Sequence, residues 1–437
     1  MATLTFPLSR IEGHARVEIE VRDGQVISTR FQAMEKRGFS LMVSGVPAEQ
    51  MPVIVPRICG VCSTAHHVAS VKALEDAYGV TPPALAEDIR ELLLLGQIIQ
   101  NQATSLFVFT MPDRLGVDSI FHITPEEADK EVQFNIARRA LRVRQLGTDL
   151  ITLVGGQFIH PVKAVVGGVS SGVEHGRAAA FQQRLRDALP TACELIKFYW
   201  DITLRMKDHI GTWGDDQPAY YITSTDRDTP KYNSEVIRVM TPAGECCREF
   251  TAGQFRDFLT FEETDYSYAG RTSYEGNVMR ANSLARANMT IRMGTELAEG
   301  FLRRLREEFG LPAHPILLFD LCRGIELVYA IERAIALLEA PLDEADTDVP
   351  YTPKDGEGWG LVEAPRGPLI HHYVIENGNI KLGEFIIPTV HNMLAIERAL
   401  RVAAERYITA DSVNLELERA VGRVVRAFDP CIACATH

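Results

Sequence analysis

Four of the eight cysteines in this 437-residue chain fall in two Cys-x-x-Cys pairs, one near each end. The first is Arg57-Ile58-Cys59-Gly60-Val61-Cys62, with His66 four residues on; the second is Asp429-Pro430-Cys431-Ile432-Ala433-Cys434-Ala435-Thr436-His437. This spacing puts two sulfurs one turn apart, within reach of one metal. Thiolates are soft donors, suited to nickel, zinc or iron–sulfur chemistry. Cys59 and Cys431 are 372 residues apart, so only a fold that joins both ends makes a four-thiolate site. Such a site would be buried, unlike a surface zinc knuckle. From the spacing alone, a structural zinc site on all four thiolates and a cubane iron–sulfur cluster stay open beside a nickel centre.

The other cysteines, Cys193, Cys246, Cys247 and Cys322, read as thiols rather than disulfides in a long chain without a secretory leader. Neighbouring Cys246 and Cys247 do not readily bridge one another, and Cys193 and Cys322 sit in helical patterns as core fillers. A net charge of −13 argues against nucleic-acid binding through a basic field. No uncharged apolar stretch of about 18 residues stands out, so no membrane span and a cytoplasmic location are expected.

The elements that must position these cysteines are mainly helical. A β-hairpin is expected over 14–31, where alternating residues flank Asp23-Gly24, and a second over 369–388 around Asn377-Gly378. Pairing of the two hairpins would bring the ends together. Helices are expected at 84–109, 126–154, 175–210, 285–309, 323–339, 392–408 and 411–427, by apolar spacing. The Asp-, Thr-, Tyr- and Gly-rich stretch 212–275, with Trp213-Gly214-Asp215-Asp216, reads as an irregular insertion with short strands, and 340–360 as a loop. The expected fold class is mainly α with small β-hairpins (α+β), a long-helix bundle. It winds 1–437 into one intertwined domain, with helical core 57–210 and 280–340 and C-terminal helices and metal motif over 392–437.

Both cysteine motifs, together with Arg10-Ile11-Glu12-Gly13-His14, Pro112-Asp113, Gly155-Gly156-Gln157-Phe158-Ile159-His160-Pro161, Ala364-Pro365-Arg366-Gly367 and Pro388-Thr389-Val390-His391-Asn392, carry a resemblance. The chain resembles the large, catalytic subunit of nickel–iron hydrogenases, and looks most like the cytoplasmic cofactor-coupled branch. The resemblance implies reversible heterolytic cleavage of H2 at a nickel–iron centre whose iron carries carbonyl and cyanide. Cys59 and Cys431 would be terminal nickel ligands, and Cys62 and Cys434 would bridge to iron. A proton would pass to Cys431 and on to Glu12. Arg366 would lie over the open face of the metals, paired with Asp113. Thr389, after Pro388, would bond an iron-bound cyanide, Pro365 would border the cofactor, and His66 would donate to a bridging thiolate.

In this family a C-terminal peptide is removed after the final His, so an ending at His437 is expected to be the processed form. Many relatives hold a magnesium ion with that His and a Glu after Arg-Gly-Phe; here the residue is Ser40, and Glu35 is the available substitute. A second departure is Asn101-Gln102-Ala103-Thr104-Ser105 where relatives show Ser-His-x-x-His. The chain has no dinucleotide fingerprint and no spare cysteine quartet for a cluster. The expected partners are an iron–sulfur small subunit, then a flavin, NAD or other acceptor module beyond it. An alternative of the same chemistry is an H2-sensing regulatory role.

Overall fold

A computed structural model describes residues 2–122, 128–212, 214–343, 346–409, 413–414 and 416–436, with the side chains of 128–134, 209, 211 and 212 left aside. Trp213 and His437 fall outside the described residues.

The chain starts with three antiparallel strands, β1 (Ala2–Pro7), β2 (Ala15–Arg22) and β3 (Gln25–Ala33), in the order β1-β2-β3. Val17 and Ile19 face the core while Glu18 and Glu20 alternate outward, the period-2 pattern of a half-buried strand. Asp23 and Gly24 both take positive φ, 51° and 73°, as a tight hairpin turn requires.

Four long helices follow: α1 (Ser63–Tyr78), α2 (Ala84–Ala103), α3 (Ala128–Gly155) and α4 (His175–Arg205). The expected helix 84–109 ends its regular part at Ala103. A π-helical turn over Thr104–Thr110 and a short helix over Met111–Leu115 continue it. As a unit, Ala84–Leu115 is long and apolar enough to cross a membrane, yet 83% of its apolar window is buried inside the fold. Its apolarity is that of a core helix packed on several sides.

The stretch read as an irregular insertion is more ordered than expected. Strands β4 (Tyr220–Thr223), β5 (Ile237–Met240) and β6 (Cys246–Phe250) form a sheet. Strands β7 (Leu259–Glu262) and β8 (Arg271–Tyr274) form a ladder, and β9 (Met279–Arg280) adds to β4 in parallel. The helix expected over 285–309 is two helices, α5 (Ser283–Met289) and α6 (Glu296–Phe309). Gly294, at φ +73°, interrupts the run, a conformation that costs glycine less than any L-residue. Helix α7 (Phe319–Leu337) crosses the core.

The last sheet holds β10 (Gly356–Ala364), β11 (Gly367–Glu376) and β12 (Asn379–Ile386) in that order. β10 thus begins inside the expected 340–360 loop. A Cβ on Gly358 or Gly360 would lie 2.1 Å and 1.9 Å from the carbonyl oxygens of Ala73 and Ala69. Glycines at period 2 on the strand meet alanines at i and i+4 on α1, so backbone packs on backbone. Helices α8 (Met393–Tyr407) and α9 (Leu417–Phe428) complete the chain before Cys431.

The two hairpins do not pair with each other, contrary to expectation: each lies in its own three-stranded sheet, because residues 2–7 and 356–364 supply third strands. The ends meet through a different contact. Glu12 bridges Cys431 in parallel, and the Ile432 N–H donates to the Glu12 carbonyl at 3.0 Å. A Cβ on Gly13, at φ +81°, would come within 2.8 Å of the Ile432 Cβ, so this approach depends on glycine.

Candidate metal centre

Cys59 lies in the turn before α1, and Cys62 is the residue at its N-terminus, where the helix dipole favours a thiolate. On the other side, α9 stops at Asp429, whose φ of +49° turns the chain into Pro430 and Cys431. Arg37 ties the two segments: its N–H donates to the Thr436 carbonyl at 2.7 Å and its guanidinium to the Ile58 carbonyl at 2.6 Å.

All four cysteines are buried, and their sulfurs lie within 4.8 Å of one another. The Sγ atoms of Cys62 and Cys434 are 2.9 Å apart, those of Cys431 and Cys434 2.8 Å, and those of Cys59 and Cys431 3.4 Å. Among the described residues this is the one group of His, Cys, Asp and Glu side chains with the geometry to hold a metal. Burial opposes ionisation of every thiol. Hydrogen bonds from the other three sulfurs and the charge of Arg366 nevertheless pull Cys59 well down, while Cys62, Cys431 and Cys434 are pushed up. One thiolate suppresses the others, so four become compatible only when cations sit between them. The donor set therefore fits a soft metal centre.

Beside the sulfurs is a cavity of ≈ 10 Å³, about the size of one water-scale group. Its walls include Cys62, Cys431, Cys434, Pro365, Arg366 and Thr389. Arg366 is buried; its Nη2 donates to Asp429 Oδ1 at 3.0 Å and its Nε to the Asp429 carbonyl. Its Nη1 is buried without a partner. Burial alone would weaken the guanidinium, but the Asp429 carboxylate and the sulfurs of Cys431, Cys62 and Cys59 raise its pKa well above the usual arginine value.

Glu12 is half-buried, with Oε2 3.0 Å from Cys431 Sγ and accepting the Ala433 N–H at 3.0 Å. Burial, and then the charge of Cys59, raise its carboxyl above the ordinary value. Thr389 Oγ1 accepts the Cys431 N–H at 3.0 Å. His66 Nδ1 is 3.0 Å from His371 Nε2, and His371 Nδ1 is 2.8 Å from the Tyr373 hydroxyl.

Asp113 does not pair with Arg366. It is held by Arg10 at 2.6 Å and by Arg426 at 2.7 and 2.8 Å, and Asp429 takes the place at Arg366. Two arginines, one a bidentate fork, satisfy the Asp113 carboxylate fully. Glu35, the substitute carboxylate for a magnesium ion, faces out and bonds His14 Nδ1 at 2.6 Å. His437 lies outside the described residues.

The sequence matches the family described as nickel-dependent hydrogenase over residues 37–139 and 219–437, and a HoxL-like segment over 6–35. The chain belongs to the nickel-dependent hydrogenase large-subunit family. It is 33% identical to a subunit of the vhu F420-non-reducing hydrogenase of Methanococcus voltae, over 91% of this chain and 97% of that one. It is 29% identical to the NAD-reducing hydrogenase HoxS subunit beta of Cupriavidus necator, over 99% and 93%. The structure of an NAD+-reducing [NiFe]-hydrogenase in the H2-reduced state superposes with a TM-score of 0.92, 28% identity and full coverage of both chains. This hydrogenase subunit is thus an oxidoreductase with a nickel-dependent four-cysteine site, and its relatives are subunits of larger enzymes.

Asp429, His371, Asn101 and Gln102 belong to the surroundings of the site; the sequence marks Asp429 as part of a motif and Asn101-Gln102 as a departure from the family pattern, but assigns none of them a partner. Asp429 and His371 fall close to or inside the motifs, yet nothing local shows what they touch.

Proposed function

We propose that this subunit cleaves H2 reversibly and heterolytically at a nickel–iron centre on Cys59, Cys62, Cys431 and Cys434, with carbonyl and cyanide on the iron. Electrons then leave through an iron–sulfur small subunit. The observation that carries this reading is the carboxyl of Glu12 lying 3.0 Å from Cys431 Sγ. A proton taken by that sulfur has an acceptor in place, and a carboxyl raised by burial can both take and release it.

When bound, the metal pair supplies the two-electron acceptor that H2 heterolysis needs. The cavity borders the sulfurs of Cys62, Cys431 and Cys434, so a small group in it would lie against three of the four donors. The apolar wall of Ala364, Leu369 and Ile387 suits carbonyl. The Thr389 oxygen accepts from Cys431, which leaves the hydroxyl hydrogen to donate to a cyanide nitrogen. The free Nη1 of Arg366 offers a fixed cation to the open face, where desolvation strengthens its field.

Leu41, Met42, Val53, Ile159 and Val162 are exposed apolar side chains on the segments flanking the Cys59 turn. Such side chains are candidates for the small subunit to cover. The reading extends to a flavin- or NAD-linked acceptor module downstream, in keeping with the NAD-reducing relative, and to a cytoplasmic location.

Infrared spectroscopy and metal analysis of the purified complex test the reading. Nickel, iron and carbonyl and cyanide bands that shift under H2 are expected. Zinc with a blank spectrum in a complex purified together with its maturation partners overturns it.

A further inference from the structure

Arg366 is gripped at two places by two chains of buried groups, which start at adjacent residues near the end of α2 and are joined there, Asn101 Nδ2 also donating to Gln102 Oε1 at 3.3 Å. In the first, Asn101 Nδ2 donates to Asp429 Oδ2 at 3.1 Å, and Asp429 Oδ1 holds Arg366 Nη2 at 3.0 Å. In the second, Gln102 Nε2 donates to Glu326 Oε2. Glu326 holds Arg286 at 2.6 and 2.9 Å. Arg286 in turn donates to the carbonyls of Ala364 at 3.2 Å and Pro365 at 2.7 Å, the latter being the peptide bonded to Arg366. Its other partner is Glu363, at 2.7 Å, which also accepts the Ser224 N–H and hydroxyl. Asn101 is 1% exposed, Gln102 0% and Arg286 2%.

We propose that Asn101 and Gln102 are positioning residues for Arg366: one aims its guanidinium through Asp429, the other holds its backbone through Glu326 and Arg286. The proposal rests on the reading that Arg366 faces the nickel–iron centre. Its physical basis is that a cation acts on a reaction only from a fixed place. Arg366 spends two of its nitrogens on Asp429, leaves Nη1 without a partner in the protein, and lines the cavity beside the sulfurs. A rotation about the Asp429 contact, or a shift of the 364–366 corner, would move Nη1 off the metals. A neutral amide at each position donates to a carboxylate without adding charge to a buried network.

The test compares Asn101→Leu and Gln102→Met in the assembled enzyme, alone and in an Arg366→Lys background. Each single change is expected to lower kcat by about tenfold to a hundredfold, the scale of a small misplacement of a reacting group, with KM for H2 little altered. The carbonyl and cyanide bands should persist and shift, because they report the field at the iron. In the Arg366→Lys background neither change should lower kcat further, as for residues that act through one another. Ile98→Ala, a core change on the same helix away from the corner, should lower the unfolding temperature without shifting the bands. If a leucine or methionine variant does not load metal, Asn101→Ser and Gln102→Ala carry the same comparison. Unshifted bands, unchanged turnover, or losses that multiply with Arg366→Lys would each overturn the proposal. A wild-type enzyme without such bands would instead overturn the nickel–iron reading beneath it.

Discussion

The Glu12 carboxylate oxygen and the Cys431 sulfur stand 3.0 Å apart although 419 residues of chain separate them. The contact is fixed from both sides: Glu12 also accepts the Ala433 N–H, and its carbonyl accepts the Ile432 N–H. Substitution of Glu12 by Gln keeps the shape and removes the ionisable group. H2 turnover should fall by about 10²- to 10⁴-fold, the usual share of a general acid–base group, while nickel, iron and infrared bands stay. Unchanged turnover would move the proton path elsewhere.

Loss of one sulfur should disassemble the centre. Cys434 lies within 2.9 Å of both Cys62 and Cys431 sulfurs, so Cys434→Ala removes a donor from the middle of the set. Metal analysis of the purified variant should show neither nickel nor iron, and its unfolding temperature should drop, since metal binding is linked to folding. Retention of both metals would show that three thiolates suffice.

Acid should weaken the fold in a defined window. His67 donates from Nδ1 to the Pro52 carbonyl at 2.8 Å and accepts the Ala164 N–H at Nε2, so it is held neutral. Burial depresses its pKa to about 4, and burial does the same to His391. The unfolded chain titrates near 6.5 and binds protons first, so stability is full above that pH and falls as pH drops toward 4. Each residue accounts for about 3 kcal/mol at most. Urea midpoints between about pH 8 and 4 should show the decline, and His67→Gln should flatten part of it.

Close packing of β10 on α1 predicts that Gly360→Ala is costly. Its Cβ would meet the Ala69 carbonyl oxygen at 1.9 Å, and overpacking of this kind costs about 1–3 kcal/mol or more. Thermal unfolding should show a lower midpoint; an unchanged midpoint would mean that the strand can slide.

The exposed Val53, on the helical turn before Cys59, predicts a partner contact. Val53, 49% exposed, changed to Asp should lower recovery of the iron–sulfur subunit on co-purification, without changing the unfolding temperature of the isolated large subunit. Equal recovery would place the docking surface elsewhere.

Much of the centre is readable along the chain. Cys-x-x-Cys spacing is a local property: one turn of backbone sets two sulfurs side by side, so four ligands can be named from their sequence positions. Turns are equally local, since Asp23-Gly24 and Asn377-Gly378 need positive φ that few other pairs adopt. The break between α5 and α6 and the strand at 356–364 are not legible in this way. Apolar periodicity does not register a single glycine interruption, nor glycines chosen to fit a helix that lies about 290 positions earlier in the chain.

The partners of the charged groups are settled by packing alone. Arg366 has two aspartates to choose from, and Asp113 is taken by Arg10 and Arg426 while Asp429, turned by its left-handed backbone, reaches Arg366. The sequence by itself determined the donor set, its soft chemistry and the mainly helical scaffold, because these depend on residue type and short spacing. Only the tertiary structure decided which carboxylate holds the arginine, and that Asn101 and Gln102 reach both of the networks around it. Those are contacts between segments from 63 to 328 residues apart, and their energies depend on burial and distance that no local pattern carries.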